Sequence, residues 1–460
     1  MSANKNILFY LIVFFLFTIF TSSIWGEGMF MDGIFYAVCA KNLSNGLGDF
    51  WTPHLTPSLL PFFHEHPPLA IGLQSIFFSV LGDSIYIEKI YSFLTFIITG
   101  IIIHFIWVQI SDIQYKKYSW VPLLLWICIP INIWSCSNNM LENTMNIFVC
   151  LSVYFSIKYF KTNFYSYLFL TAFSIFLAFL SKGLTGTYPL AIFLCFFIAF
   201  KNNFKSTIYN TLKLISLFII PFLMLYLIYP EAIYSLKKYF NKQVLNSIQD
   251  IVTVNNRFYI IIRLFSEISI LLLSVFAILL LARKNKMKPK EHHIKWSVFF
   301  LILAIIGVIP IMISMKQSGF YIITTFPLFA IGLSILIIPY LANKLTIKKK
   351  TLIFINIFLL FVSSVFINYN LQGYSRDEEL LKDIKLIINT IKDENTIYIN
   401  SKQSRSIYSL RAYFFRYGNI DLNHNSKGKY FLKYNDDERI PNEKYKRVNL
   451  DTKTISLYKD

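Results

Sequence analysis

Acidic residues are scarce in this chain: 25 Asp and Glu stand against 44 Lys and Arg in 460 residues, and only 15% of positions are charged. So little charge leaves too small a polar surface for an ordinary soluble protein of this length. Cysteine is equally thin. Cys39, Cys128, Cys136, Cys150 and Cys195 form no CxxC or other metal-type spacing, so neither a zinc site nor a dithiol redox site is expected. No internal repeat and no low-complexity linker divides the chain.

What the chain has is apolar length, with 55% hydrophobic residues. Runs of about 20 apolar residues, each long enough to cross a bilayer as a helix, recur through the first 370 positions. They predict about eleven spans, at 7–25, 88–109, 119–135, 143–160, 164–180, 187–200, 209–229, 258–281, 295–314, 320–339 and 350–368. The first run, NILFYLIVFFLFTIFTSSIW, lacks a small-residue cleavage site and is followed by more spans, which predicts a retained helix. The net charge of +19 would suggest nucleic acid in a soluble chain. Here it is accounted for by basic loops on one side of a membrane, and no nucleic-acid partner is expected.

The segment 67–82 decides the topology. It opens with Pro67-Pro68, tolerable at a helix start. If it lies along the outer interface, the loops at 110–118, 158–163, 201–208, 282–295 and 341–350 share one side. Lys116, Lys117, Lys161, Lys201, Arg283 and their basic neighbours then face the cytoplasm with Lys5. If it spanned, these loops would be divided between the two sides. The interfacial reading gathers 26–66, 136–142, 181–186, 230–257, 315–319 and the tail on the outer side. Residues 33–44 read as a second short amphipathic helix there. The tail mixes strand formers with charge and contains no span. The predicted architecture is therefore an all-α multispan membrane domain over 1–369 and a small α/β domain over 370–460 on the outer face.

Several polar residues fall on that outer side. Asp32, in EGMFMDGIFYAVCAKNLSNG, suits a helix N-cap, and a carboxylate held at a membrane surface is also placed to act as a base. Glu65 and His66, in FFHEHPPL, fit a metal-ligand pair, a phosphate-binding pair or a polar rim, with the following prolines holding the backbone extended. Lys182 in SKGLTG and Lys316 in MKQSGFYIITTFP run against the basic-loop pattern, which favours anion ligands over membrane anchors. Glu142 and Arg257 lie near helix ends, either at a site or among headgroups. Arg263 and Glu267 read as a structural pair at i,i+4 spacing. His104, His292 and His293 read as structural or interfacial. An acid facing cations suits group transfer from a phosphate-linked donor: the carboxylate accepts a proton and the cations stabilise the departing phosphate. The other reading is a multispan lipid or glycan transporter, whose polar groups would instead sit near mid-membrane.

DGIFYAVCAKNLSNG resembles the first outer loop of the lipid-linked-sugar glycosyltransferases of GT-C type, which include the aminoarabinose transferases and the protein O-mannosyltransferases. Asp32, Tyr36, Ala40 and Leu43, then Glu65, His66, Pro67 and Pro68, follow their pattern. HPPLAIGLQSIFFSVLG, LSKGLTGTYPL and KQSGFYIITTFPLFA resemble three further segments of that family, in order, within the first 370 residues. The resemblance implies a multi-pass inverting transferase of a bacterial inner membrane, with a cytoplasmic N-terminus and a periplasmic C-terminal domain. Its donor would be a polyprenyl-phosphate-linked sugar and its acceptor an envelope lipid, glycan or protein. Asp32 would be the base or the acceptor-positioning carboxylate. Glu65 and His66 would line the same cavity and hold the acceptor or a divalent metal, the one cofactor implied. Lys182, Lys316, Tyr321 and Arg257 would meet the donor phosphate. Two positions depart from the family pattern: Gly33 stands where a second acid often follows the aspartate, and His66 where aminoarabinose transferases often carry lysine.

Overall fold

A computed structural model describes residues 3–249, 251–285, 289–344, 349–370, 373–391, 394–399, 405–424, 428–435 and 444–460. All eleven apolar stretches are helical, but they are not equal. Six helical segments are long and apolar enough to cross a membrane by length and composition: Ile87–Ile110, Tyr165–Lys182, Phe204–Ile228, Tyr259–Lys284, Glu291–Ile313 and Gly319–Asn343. The stretch at 119–135 is broken. Ile113–Ile127 and Pro130–Ser137 meet at 74°, because Ile129 is extended and Pro130 has no N–H to continue the helix. The stretch at 187–200 holds a helix of only 9 residues, Ile192–Phe200, preceded by 3₁₀ turns.

In chain order the helices are α1 (Ala3–Trp25), α2 (Met31–Ser44), α3 (Leu69–Leu81), α4 (Ile87–Ile110), α5 (Trp120–Ile127), α6 (Pro130–Ser137), α7 (Leu141–Thr162) and α8 (Tyr165–Lys182). They continue as α9 (Ile192–Phe200), α10 (Phe204–Ile228), α11 (Pro230–Tyr239), α12 (Asn246–Gln249), α13 (Tyr259–Lys284), α14 (Glu291–Val308), α15 (Phe326–Lys344) and α16 (Lys349–Asn370). Helix α7 is absent from the six because its inner face carries buried Glu142, Asn143 and Asn146. The short helices predicted at 33–44 and 67–82 are α2 and α3. At 13 residues, α3 is about 20 Å long, too short for a hydrocarbon core of roughly 30 Å. It packs on α2, α4, α7 and α8.

The basic loops meet at one end of the bundle. Asp112 lies 3.6 Å from Lys290 and 3.3 Å from the His293 ring. Lys161 donates to the Gln109 carbonyl, the Tyr118 hydroxyl reaches the Ala342 carbonyl at 3.4 Å, and Phe200 packs edge-on against Trp296. At the other end, the loops grouped as outer ones converge around a cavity.

The tail forms α17 (Glu378–Thr390), α18 (Arg405–Gly418) and a five-stranded mixed sheet, as the α/β reading predicts. Its strands β1 (Thr396–Ile399), β2 (Asp421–Asn423), β3 (Tyr430–Tyr434), β4 (Lys446–Arg447) and β5 (Ile455–Lys459) lie in the order β2-β1-β3-β5-β4. One apolar cluster runs from Ile34, Val38 and Ala70 into Leu410 and Phe414, so the tail shares a core with α2 and α3. Buried Arg416 fixes the contact by reaching Glu88 at 3.0 Å and Asp83 at 2.5 Å, while Lys41 donates to its carbonyl.

Candidate active site

The cavity measures about 1200 Å³, and its wall includes Asp32, Glu65, His66, Lys182, Lys316 and Tyr321. Six of the seven predicted site residues therefore share one space. Arg257 is not among the lining residues: its guanidinium donates to the Ile313 carbonyl at 2.8 Å. Arg263, in the second turn of α13, does line the wall.

Asp32 sits in the first turn of α2, where the helix dipole favours a carboxylate. It is not the N-cap. That position belongs to Phe30, whose N–H donates to the Asn138 side chain at 2.5 Å. Asn139, itself at φ +52°, donates to the Gly33 carbonyl at 3.1 Å. The loop between α6 and α7 thus holds the start of α2 against it. A Cβ at Gly33 would overlap the Asn138 carbonyl, so no second acid fits beside Asp32 without moving that loop.

Glu65 accepts from Gln243 and lies 3.8 Å from Lys242. Gln243 in turn accepts from the Lys316 ammonium at 2.7 Å. Both Lys242 and Gln243 belong to a π-helical turn, Phe240–Leu245, a distortion that often marks functional segments. Burial raises the Glu65 carboxyl above its ordinary value against the pull of Lys242 and Lys316, and Asp32 adds to the rise. Burial, with Lys182 and Lys316 nearby, pushes the His66 ring well below its ordinary value. His66 is therefore neutral near pH 7, and its buried Nδ1 has no hydrogen-bond partner among the described residues.

Lys182 ends α8 and forms an ion pair with Glu142. Its ammonium also lies 5.1 Å from the Phe320 ring centre and 5.4 Å from that of Tyr321. Gly183 follows at φ +100°, and a Cβ there would overlap the Tyr239 hydroxyl, which accepts from the Leu184 N–H. The 181–186 turn is thereby tied to the start of the π-helical turn. Arg263 pairs with Glu267 at 2.5 Å, and Glu267 also accepts from the Ile131 N–H at the start of α6. The pair is structural, as its spacing predicts, and it also borders the cavity.

The aromatic wall is built from Phe30, Trp134 and Phe320, with Trp134 and Phe320 stacked at 5.6 Å. One lining residue comes from the tail, Tyr408 of α18. One turn on, buried Arg411 donates to Ser58 at 2.5 Å, and Ser58 donates to Asp421 at 2.6 Å. This latch fixes Leu59 and Leu60, which also line the cavity, with Leu60 at φ +49°. Among the described residues no three His, Cys, Asp or Glu side chains gather to hold a metal. Glu65 is occupied by Gln243 and Lys242 instead.

Sequence reasoning missed Gln243 and Tyr408, which carry no local signal, and gave Arg263 no contact with this cavity.

Two crystal structures of ArnT from Cupriavidus metallidurans match the whole architecture. The apo form aligns with TM-score 0.68 over 99% of this chain and 98% of its own. The form bound to undecaprenyl phosphate aligns with TM-score 0.66 over 97% of each. The chain has a GT-C fold. Sequence identity to both ArnT structures is 11%. Oligosaccharyltransferase AglB from Archaeoglobus fulgidus, in complex with an inhibitory peptide and a dolichol-phosphate, shares the GT-C core more distantly. It aligns with TM-score 0.51 at 11% identity over 90% of this chain and 64% of its own. Residues 65–229 match the family model of dolichyl-phosphate-mannose-protein mannosyltransferases. A comparison with curated proteins gave no match.

Proposed function

We propose that the protein is an inverting glycosyltransferase that moves a sugar from a polyprenyl phosphate to an envelope lipid, glycan or protein acceptor. The observation that carries the reading is the convergence of an acid, Asp32, and a cation, Lys316, on one cavity at the end of the bundle opposite the basic loops. The basic loops then face the cytoplasm, and the cavity and C-terminal domain face the periplasm of a bacterial inner membrane.

In this reading the acceptor hydroxyl gives its proton to Asp32 as its oxygen attacks C1 of the sugar. The bond between C1 and the phosphate oxygen breaks, and its electrons leave on the polyprenyl phosphate. Attack opposite the leaving group inverts C1. Lys316 meets the leaving phosphate, with the Tyr321 hydroxyl beside it. Lys182 contributes its ammonium already matched by Glu142, and Arg263, paired with Glu267, adds a guanidinium edge to the wall. A positioned charge of this kind is worth about 10²–10³ in rate. The prenyl chain leaves past Tyr259 and Ile262, cavity residues that are also exposed on the bundle surface. Neutral His66 lines the same wall without competing for the phosphate.

The test is turnover in vesicles reconstituted with the full chain and polyprenyl-phosphate sugars. Wild type releases free polyprenyl phosphate, and Asp32→Asn, normally folded, loses at least about 10²-fold. Transfer of labelled lipid across the bilayer without release, equal in Asp32→Asn, would establish a transporter instead.

A further inference from the structure

Residues 26–30 carry the chain from α1 toward the cavity and end two positions before Asp32. The C-terminal domain grips them along their length. Glu27 pairs with Tyr374 in a parallel bridge, its N–H donating to the Gly373 carbonyl at 3.1 Å and its carbonyl accepting from the Ser375 N–H at 2.8 Å. The Glu27 carboxylate lies 2.6 Å from Lys385. Gly28 takes φ +85°, and a Cβ there would overlap the Arg376 carbonyl, so the two chains meet backbone to backbone. The Arg376 guanidinium lies 5.5 Å from the Phe30 ring centre.

The closest hold is on Met29, three residues before Asp32. The Tyr413 hydroxyl of α18 accepts from the Met29 N–H at 2.9 Å and donates to the Met29 carbonyl at 2.8 Å, with Asp377 as a second acceptor at 3.2 Å. Met29 and Tyr413 are both buried. A buried backbone N–H and C=O each require a partner, and here one side-chain oxygen, 384 positions away, serves both. A hold on both groups fixes the direction of the backbone as well as its place, which a single bond does not. On the next residue, the Phe30 N–H is taken by Asn138. The C-terminal domain and the α6–α7 loop thus grip consecutive residues just ahead of the turn that carries Asp32. A carboxylate acting as base must stand within hydrogen-bond reach of the acceptor hydroxyl, and a displacement of about 1 Å can cost about 10²-fold in rate.

We propose that Tyr413 is a positioning residue: through Met29 it sets where the Asp32 carboxylate stands, so that the C-terminal domain completes the active site from outside the cavity. The inference rests on the reading of Asp32 as the base. Tyr413 is not among the lining residues of the cavity. Its ring stacks on that of Tyr417, 5.9 Å away and inclined by 8°, so Tyr413→Phe keeps the packing and removes the oxygen alone.

The experiment uses the full chain in vesicles with a polyprenyl-phosphate sugar, read as kcat and KM, together with hydrogen exchange over 26–33. Tyr413→Phe is expected to lower kcat about tenfold or more, to leave KM for the donor within about twofold, and to speed exchange at 29–33. The exposed pair Ser375→Ala/Arg376→Ala loosens 26–30 from the same side without touching the core, and is expected to lower kcat about threefold. It carries the same test should Tyr413→Phe fold poorly. Asp383→Asn weakens the C-terminal domain at 453–455, away from this segment, and is expected to change kcat less than about twofold. In an Asp32→Asn background Tyr413→Phe should cost little further, because the carboxylate it places is already gone. A kcat per folded molecule equal to wild type, a rise in KM alone, unchanged exchange at 29–33, or a full further loss in the Asp32→Asn background would overturn the proposal. A wild type without turnover would overturn the transferase reading and the positioning role with it. Faster exchange in Tyr413→Phe would still show the hold on Met29 in that case, which separates the two failures.

Discussion

Lys182 and Glu142, 40 residues apart, form an ion pair with 5% and 0% of their side chains exposed. The pair joins the end of α8 to the start of α7 and brings a charge to the cavity wall that is already neutralised. Glu142→Gln leaves the ammonium buried without a countercharge, which costs about 3–5 kcal/mol. Thermal unfolding should show that loss, and the double variant Glu142→Gln/Lys182→Met should recover much of it. A single variant as stable as wild type would mean that the pair is not formed.

Gly33→Ala places a methyl group where the Asn138 carbonyl stands, so the start of α2 and the α6–α7 loop must separate. The expected cost is about 1–3 kcal/mol, and Asp32 moves with the backbone that carries it. Turnover should fall in Gly33→Ala even at temperatures where it remains folded. Gly→Ala at Gly46, where a Cβ meets nothing within 4 Å but φ is +77°, isolates the backbone penalty from the collision.

His66 is held neutral, with a folded-state value below that of the unfolded chain. The unfolded state therefore binds the extra proton. The stabilisation is complete above the ordinary value of 6.5, and it is lost as pH falls from there toward the folded value. His64 shifts in the same sense, chiefly by burial. Unfolding midpoints measured between about pH 5 and 8 should decline on the acid side, and less so in His66→Gln. An identical decline in the variant would assign the effect to other groups.

Arg411 and Ser58 tie α18, which carries Tyr408, to the segment of Leu59 and Leu60, and among the described residues this is where the tail enters the cavity wall. Arg411→Met removes a charged hydrogen bond, worth about 1.5–3 kcal/mol, and should speed amide exchange at 58–60 without altering exchange in α7 and α8. Tyr408→Ala should raise KM for the acceptor and leave release of polyprenyl phosphate to water unchanged.

Much of this architecture is readable along the chain because helices and basic loops announce themselves locally. Apolar length finds the eleven candidate membrane stretches as helices but not α11 and α12, which lie within 230–257, read as an outer connection; Pro130 marks the break in the 119–135 segment, and the charge pattern alone gathers the loops around Asp112 and Lys290 at one end. What periodicity cannot supply is pairing at a distance. Gln243 meets Glu65 across 178 positions, and its π-helical turn has no sequence signature. Arg263 was legible as half of an i,i+4 pair, but only packing shows that the pair faces a cavity. Asp32 was expected to cap its helix. Phe30 holds that position because Asn138 supplies the acceptor from another loop.

The central claim is that a lipid phosphate enters the space between Asp32 and Lys316. Photo-crosslinking with a benzophenone-tagged polyprenyl phosphate, mapped by mass spectrometry, tests it most directly. Adducts should fall on 130–134, 259–263 and 316–321, should be competed away by untagged undecaprenyl phosphate, and should be lost in Lys316→Glu. Adducts spread along the lipid-exposed faces of α10 and α16, with equal yield in Lys316→Glu, would contradict the account.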